Sequence, residues 1–266
     1  MIEFLGIFGV VVCAAILAGI SAGTLGVFVI GLRMPFLAIC TAHSALAGAV
    51  LAELAGLPAS PGAFVGACVG ALVLSLLLRR NSIDINAALG VLFSVTIGVA
   101  FLGIGLSPGA KTGMFSLLWG SLLFVSWTHV LAMLLITLLL FVFVWVFGQQ
   151  LKVMLFNREL SSMLIRSGLL LTALLVLASA IIAVNMEIIG GLLMFSLLSN
   201  PAIAALKLAR SLGGALVLSA LFGVLSALGG FAVAYRWNLP TGACIVLTSS
   251  LIVFMVLNLT TIKKRC

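Results

Sequence analysis

Eight apolar runs, each bounded by a short polar break, constrain this chain more than any other feature. They lie at Leu5–Leu32, Phe36–Leu57, Ala63–Leu78, Ala87–Leu106, Val130–Phe147, Leu169–Val184, Gly213–Ala234 and Thr241–Leu259. Crossing a hydrocarbon core takes roughly 20 apolar residues per helix, so runs of this length read as membrane spans. A shorter run, Ile188–Leu198, is a candidate ninth. The breaks, such as Leu57-Pro58-Ala59-Ser60-Pro61-Gly62 and Arg236-Trp237-Asn238-Leu239-Pro240, carry prolines and glycines that end helices. Of the 266 residues 64% are hydrophobic and only 7% charged, too few charges to cover a water-facing domain. The expected fold is therefore all-α: one polytopic transmembrane helical bundle over residues 1–266, with eight or nine membrane segments. Met1-Ile2-Glu3 opens straight into an apolar run without the basic start of a cleaved leader, so the first segment is expected to be retained.

The basic residues give the orientation. With the N-terminus outside and every run crossing once, Arg33, Arg79-Arg80, Lys152 to Arg166, Lys207 to Arg210 and Lys263-Lys264-Arg265 fall on the cytoplasmic side. Only Lys111 and Arg236 fall outside, as the excess of basic residues in cytoplasmic loops requires. The count works only if Ile188–Leu198 also crosses or nearly crosses, and it leaves the C-terminus in the cytoplasm. The net charge of +8 then reflects topology and implies no nucleic-acid partner. Met114 to Trp127 is too short to span and carries Trp119 and Trp127, so it is expected as a helix at the outer interface. Gln149 to Arg166 is expected, by the same logic, as a cytoplasmic surface helix.

Few residues offer chemistry. The five cysteines lack a Cys-x-x-Cys pair and read as small buried residues. Of the five acids, Glu3, Asp84 and Glu159 fall near interfaces, with Asp84 suited to start the helix after it. Glu53 and Glu187 lie near the outer ends of their runs, where a cation path would begin, and an ionisable group at bilayer depth is a functional candidate by default. His43 sits well inside the second run, three residues after Cys40 and on the same helical face. Thiolate and imidazole suit zinc and other later first-row metals, which makes Cys40 and His43 candidate metal ligands. The alternative is a histidine hydrogen-bonded within the bundle. His129, beside Trp127, reads as an interfacial residue. No P-loop occurs, no His-Glu-x-x-His, and no nucleophile with an evident base. The chain is read as no enzyme, and energy for transport would come from another subunit.

Three stretches resemble one family. Arg33-Met34-Pro35-Phe36 with Thr41-Ala42-His43-Ser44-Ala45-Leu46-Ala47-Gly48, Ile189-Gly190-Gly191-Leu192-Leu193 with Ser199-Asn200-Pro201-Ala202, and Asn238-Leu239-Pro240-Thr241-Gly242 with Ile245-Val246-Leu247 are similar in order and spacing to the ABC-3 metal-ion permeases of bacteria. The resemblance implies the membrane subunit of an inner-membrane importer for zinc, manganese or iron, with no permanently bound cofactor. The divalent ion would be cargo. It implies a permease homodimer surrounded by lipid, two cytoplasmic ATP-binding cassette subunits and an extracytoplasmic metal-binding protein. It also places an ATPase-coupling helix at about 201–212, with Pro201, Ala202, Lys207 and Arg210 at that contact. Ile39 and Ser121 stand where the family carries aspartates, and Asn238 replaces another. Those departures leave open an ABC-3-like permease for a non-metal substrate. From other classes, a secondary transporter driven by an ion gradient, with Glu187 as relay, and a membrane scaffold also remain.

Overall fold

The structure, a computed structural model, describes residues 2–79, 83–106, 125–156 and 167–265. Among the described residues there are nine α-helices and no strand: α1 (Ile2–Gly31), α2 (Leu37–Leu54), α3 (Ala59–Arg79), α4 (Ile85–Leu106), α5 (Trp127–Phe156), α6 (Ser167–Ile189), α7 (Gly191–Leu208), α8 (Leu212–Trp237) and α9 (Thr241–Arg265). All but α7 are long and apolar enough to cross a bilayer by themselves. Helices are what lipid permits, because each backbone N–H and C=O must find its partner inside its own segment.

Side-chain neighbours fix the direction of each helix. Gly19 meets Gly223 and Gly23 meets Ser219, so α1 and α8 run antiparallel; Gly230 against Ile245 and Gly229 against Thr248 make α8 and α9 antiparallel as well. Leu193 meets Gly242, and Asn200 meets Ser249, each seven residues further on, so α7 runs parallel to α9. The short ninth run therefore reverses the chain direction between α6 and α8, and directions alternate through the nine described helices. Arg79 lies against Gly168 and Gly31 against Leu155, which gathers the basic breaks at one end of the bundle.

α1 is the axis of the fold and packs on α5, α6, α7 and α8. Within their apolar windows 72% of α1 and 67% of α6 is buried, against 22% for α5 and for α9. Those outer helices present Leu135, Leu139, Phe254 and Leu251 outward, side chains whose medium is lipid.

Several local expectations change. The segment from Gln149 does not begin a surface helix: α5 continues unbroken to Phe156, since no proline interrupts it, and 157–166 lie outside the described residues. The interfacial helix expected at Met114 to Trp127 falls on 107–124, also outside the described residues, apart from its end; Trp127 is the first residue of α5. Asp84 does start α4: its Oδ1 accepts from the Asn86 amide at 2.8 Å and its carbonyl from Ala88.

Candidate functional site

The polar residues of α2 each engage a different neighbour. Thr41 and Ser179 of α6 share a hydrogen bond of 3.2 Å between buried hydroxyls. Ser44 donates to the Cys40 carbonyl at 2.9 Å and packs against Gly70 of α3. Cys40 and His43 both turn toward α4, one turn apart, as their spacing predicts. The Cys40 thiol donates to the Leu89 carbonyl at 3.2 Å, and the His43 ring lies edge-on to Phe93, centroids 4.7 Å apart.

The histidine's remaining bond decides its chemistry. Nδ1 lies 2.9 Å from the Ile39 carbonyl, and a carbonyl can only accept. A proton therefore sits on Nδ1, and in the neutral ring the Nε2 lone pair is then left for an electrophile, the arrangement by which metal-binding histidines are oriented. His129 is the opposite case. It occupies the third position of α5 after Ser126, and its Nδ1 accepts from the Ser126 amide at 3.4 Å and lies 2.6 Å from the Ser126 hydroxyl. That is a helix-capping role, with histidine in the place where glutamate or glutamine commonly stands.

A cavity of about 300 Å³ lies between α2 and α4, lined by Phe36, Ile39, Cys40, Asn86, Leu89 and Phe93. Ile39 makes apolar what an aspartate would make anionic. Among the described residues no three His, Cys, Asp or Glu side chains converge on one point. Cys40 and His43 are thus the only ligand-type pair that the described α2–α4 contact assembles, and the Cys40 hydrogen is committed to Leu89.

The partner stretch comes from the α6–α7 break. Only Gly190 separates the two helices, with φ at 97°, a conformation that favours glycine. A β-carbon on Gly191 would meet the Ala42 side chain at 2.9 Å, so α7 begins beside the residue that precedes His43. Glu187 lies on the last turn of α6, close to this break in the chain, and its side chain is outside the described residues. Glu53 is not part of the same place. It lies half-buried ten residues beyond His43, about 15 Å along the α2 axis. Ser121 is outside the described residues.

Reasoning from acids, histidines and cysteines missed the amides. Asn185 is fully buried and donates to Ser21 of α1 at 3.1 Å and to the Ile181 carbonyl at 2.9 Å, while its Oδ1 and the Thr24 hydroxyl find no partner among the described residues. Asn200 joins α7 to α9. The available signal was an amide at the edge of an apolar run, Asn185 directly after Val184 and Asn200 two residues after Leu198, where polar groups bind helices together.

The stretch expected as a coupling helix, about 201–212, is divided. Pro201 lies inside α7, which runs on to Leu208; Ala209 and Ser211 are extended, and α8 starts at Leu212. Pro201 and Ala202 are buried, whereas Ile203, Leu206, Lys207, Leu208 and Arg210 are exposed at the basic end. Arg210 borders a cavity of about 380 Å³ shared with the ends of α1, α5 and α8.

Known proteins resemble this chain over most of its length. The sequence model of the ABC 3 transport family matches residues 5–260. The zinc transport system membrane protein TroC of Treponema pallidum is 31% identical over 251 residues, covering 89% of this chain and 83% of that protein. The manganese import system permease protein ScaB of Streptococcus parasanguinis is 29% identical over 246 residues, covering 89% and 84%. Among solved structures, PsaBC from Streptococcus pneumoniae in complex with Fab superposes with a TM-score of 0.82 at 26% identity, covering 96% of this chain and 93% of that one.

Proposed function

The chain belongs to the ABC 3 transport family, and from that premise we propose that it is the membrane-spanning subunit of an importer that carries a divalent manganese or zinc ion inward. The observation that carries the reading is His43: inside the bundle, its Nδ1 is held by the Ile39 carbonyl and its Nε2 is left with a lone pair. The relatives named for manganese and zinc favour those two ions; iron, within the same divalent chemistry, has no separate support here. Glu187, a few residues before the α7 start that abuts Ala42, is the candidate acid along the path. Cys40 reaches the ion only once α4 withdraws and its thiol is released from Leu89. Glu53, at the far end of α2, serves at the entrance of the path.

The ion would be released at the basic end, which the positive-inside rule assigns to the cytoplasm together with the C-terminus. Power would come from a separate ATPase pair docking on the exposed end of α7 around Lys207 and Arg210, with buried Pro201 and Ala202 shaping the helix from within. A second permease copy completes the path, and an extracytoplasmic metal-binding protein delivers the ion.

The test is uptake of manganese and zinc into vesicles that hold the protein with its ATPase. One of the two ions should accumulate with ATP, and His43→Ala should lower that uptake about tenfold or more without loss of assembly. An assembled complex that hydrolyses ATP yet moves neither ion would overturn the metal reading in favour of another cargo, which the apolar cavity at Ile39 would then suit.

A further inference from the structure

α7 has a weak turn in its middle, and one side chain fastens that turn to a neighbour. Pro201 has no N–H to give to the Leu197 carbonyl, and its ring crowds that carbonyl, so the helix loses a rung and bends most easily there. On one side α1 presses on this turn: a β-carbon at Gly26 would collide with the Leu198 carbonyl oxygen and touch Ala202 at 3.0 Å. On the other side the Asn200 amide reaches Ser249 at 2.9 Å and Ser250 at 3.1 Å, both on α9. Ser249 spends its own hydrogen on the Val246 carbonyl at 2.8 Å, so its oxygen must accept and the Asn200 nitrogen must donate. Above this turn α7 begins against Ala42, next to His43; below it Ile203, Leu206, Lys207 and Leu208 are exposed.

We propose that Asn200 is a positioning residue: its bridge to Ser249 and Ser250 is the fulcrum of α7, so that displacement of the exposed end at Lys207 becomes displacement of the buried end that abuts Ala42, the residue before His43. The inference rests on the transport reading above. Without the bridge, the proline turn absorbs the displacement by bending, and the cytoplasmic end moves without the site. Inside lipid, such a side-chain bond holds helices in one of two discrete packings.

The test compares ions moved per ATP hydrolysed, in the same vesicles, for whichever of manganese and zinc the wild type carries. Asn200→Ala and the pair Ser249→Ala with Ser250→Ala should each lower that ratio about tenfold while ATP hydrolysis stays within about twofold. Combining them should add nothing, because all three remove one bridge. Exchanging the partners, Asn200→Ser with Ser249→Asn, should recover most of the ratio. An equal fall in uptake and hydrolysis, or independent effects that multiply, would reduce Asn200 to a packing residue. Wild-type ATP turnover with no metal flux would instead sink the transport reading, and the bridge would still be tested by spin labels at the exposed positions Ile203 and Leu251. A single narrow distance in the wild type should broaden in Asn200→Ala, and an unchanged width would overturn the fulcrum.

Discussion

The α1/α8 contact and the α2/α3 contact are built from the same small residues, yet only the first is sealed. Between α1 and α8, Gly19, Gly23, Ser219 and Gly223 bring the two backbones together, and the Ser219 hydroxyl donates across the seam to the Gly23 carbonyl at 2.6 Å. All four of these seam residues are buried. Between α2 and α3, Gly48, Gly62 and Gly66 permit an equally close approach, but the contact borders a groove of about 620 Å³ whose far wall is Leu92, Val95 and Thr96 of α4. The helix with His43 is therefore tight on one flank and open on the other. Where packing must stand in for the hydrophobic effect, a seam without neighbouring space has one arrangement, and a seam beside a groove has room for a second.

Substitutions can break that comparison. Gly19→Val should have the largest effect, because a β-carbon there would stand 2.6 Å from the Gly223 carbonyl carbon and the Val224 nitrogen, backbone atoms that cannot rotate away. A loss of about 3 kcal/mol, or failure to fold, is expected in thermal unfolding of the detergent-purified protein; a mild effect would mean that the seam opens. Ser219→Ala removes only the bond to Gly23 and should cost about 1 kcal/mol by the same measurement. Val69→Phe, on the half-exposed wall of the groove, should change stability by no more than about 0.5 kcal/mol. A drop comparable to that of Gly19→Val would show the α2/α3 flank to be as tightly determined as its counterpart.

Much of the architecture was legible because lipid admits so few solutions. The run lengths and basic breaks yield the alternating helices, and the reversal of direction that the basic-residue count asks of Ile188–Leu198 is present in α7, parallel to α9. Less was legible where only packing decides. Nothing in Gln149 to Phe156 marks it as the continuation of α5, since an interfacial helix and the end of a span share its composition. At the candidate site, the three-residue spacing of Cys40 and His43 indicates their common face, whereas its direction toward α4 and the commitment of the thiol to Leu89 depend on packing and on a backbone carbonyl that no side-chain pattern reveals. The amides of Asn185 and Asn200 escaped because neither is ionisable, although in a bilayer a neutral donor without a partner also carries a cost.

The central position of α1 has a consequence for how the protein is made. It is the first of the nine described helices to leave the ribosome, and its principal neighbours, α7 and α8, are among the last. Until they arrive, the glycine face of α1 can meet only lipid, and Ser21 waits for Asn185, 164 residues later. The core of this bundle is therefore an appointment kept late in synthesis, and the earliest segment depends on the membrane, or on a helper within it, to shelter it until the closing helices come.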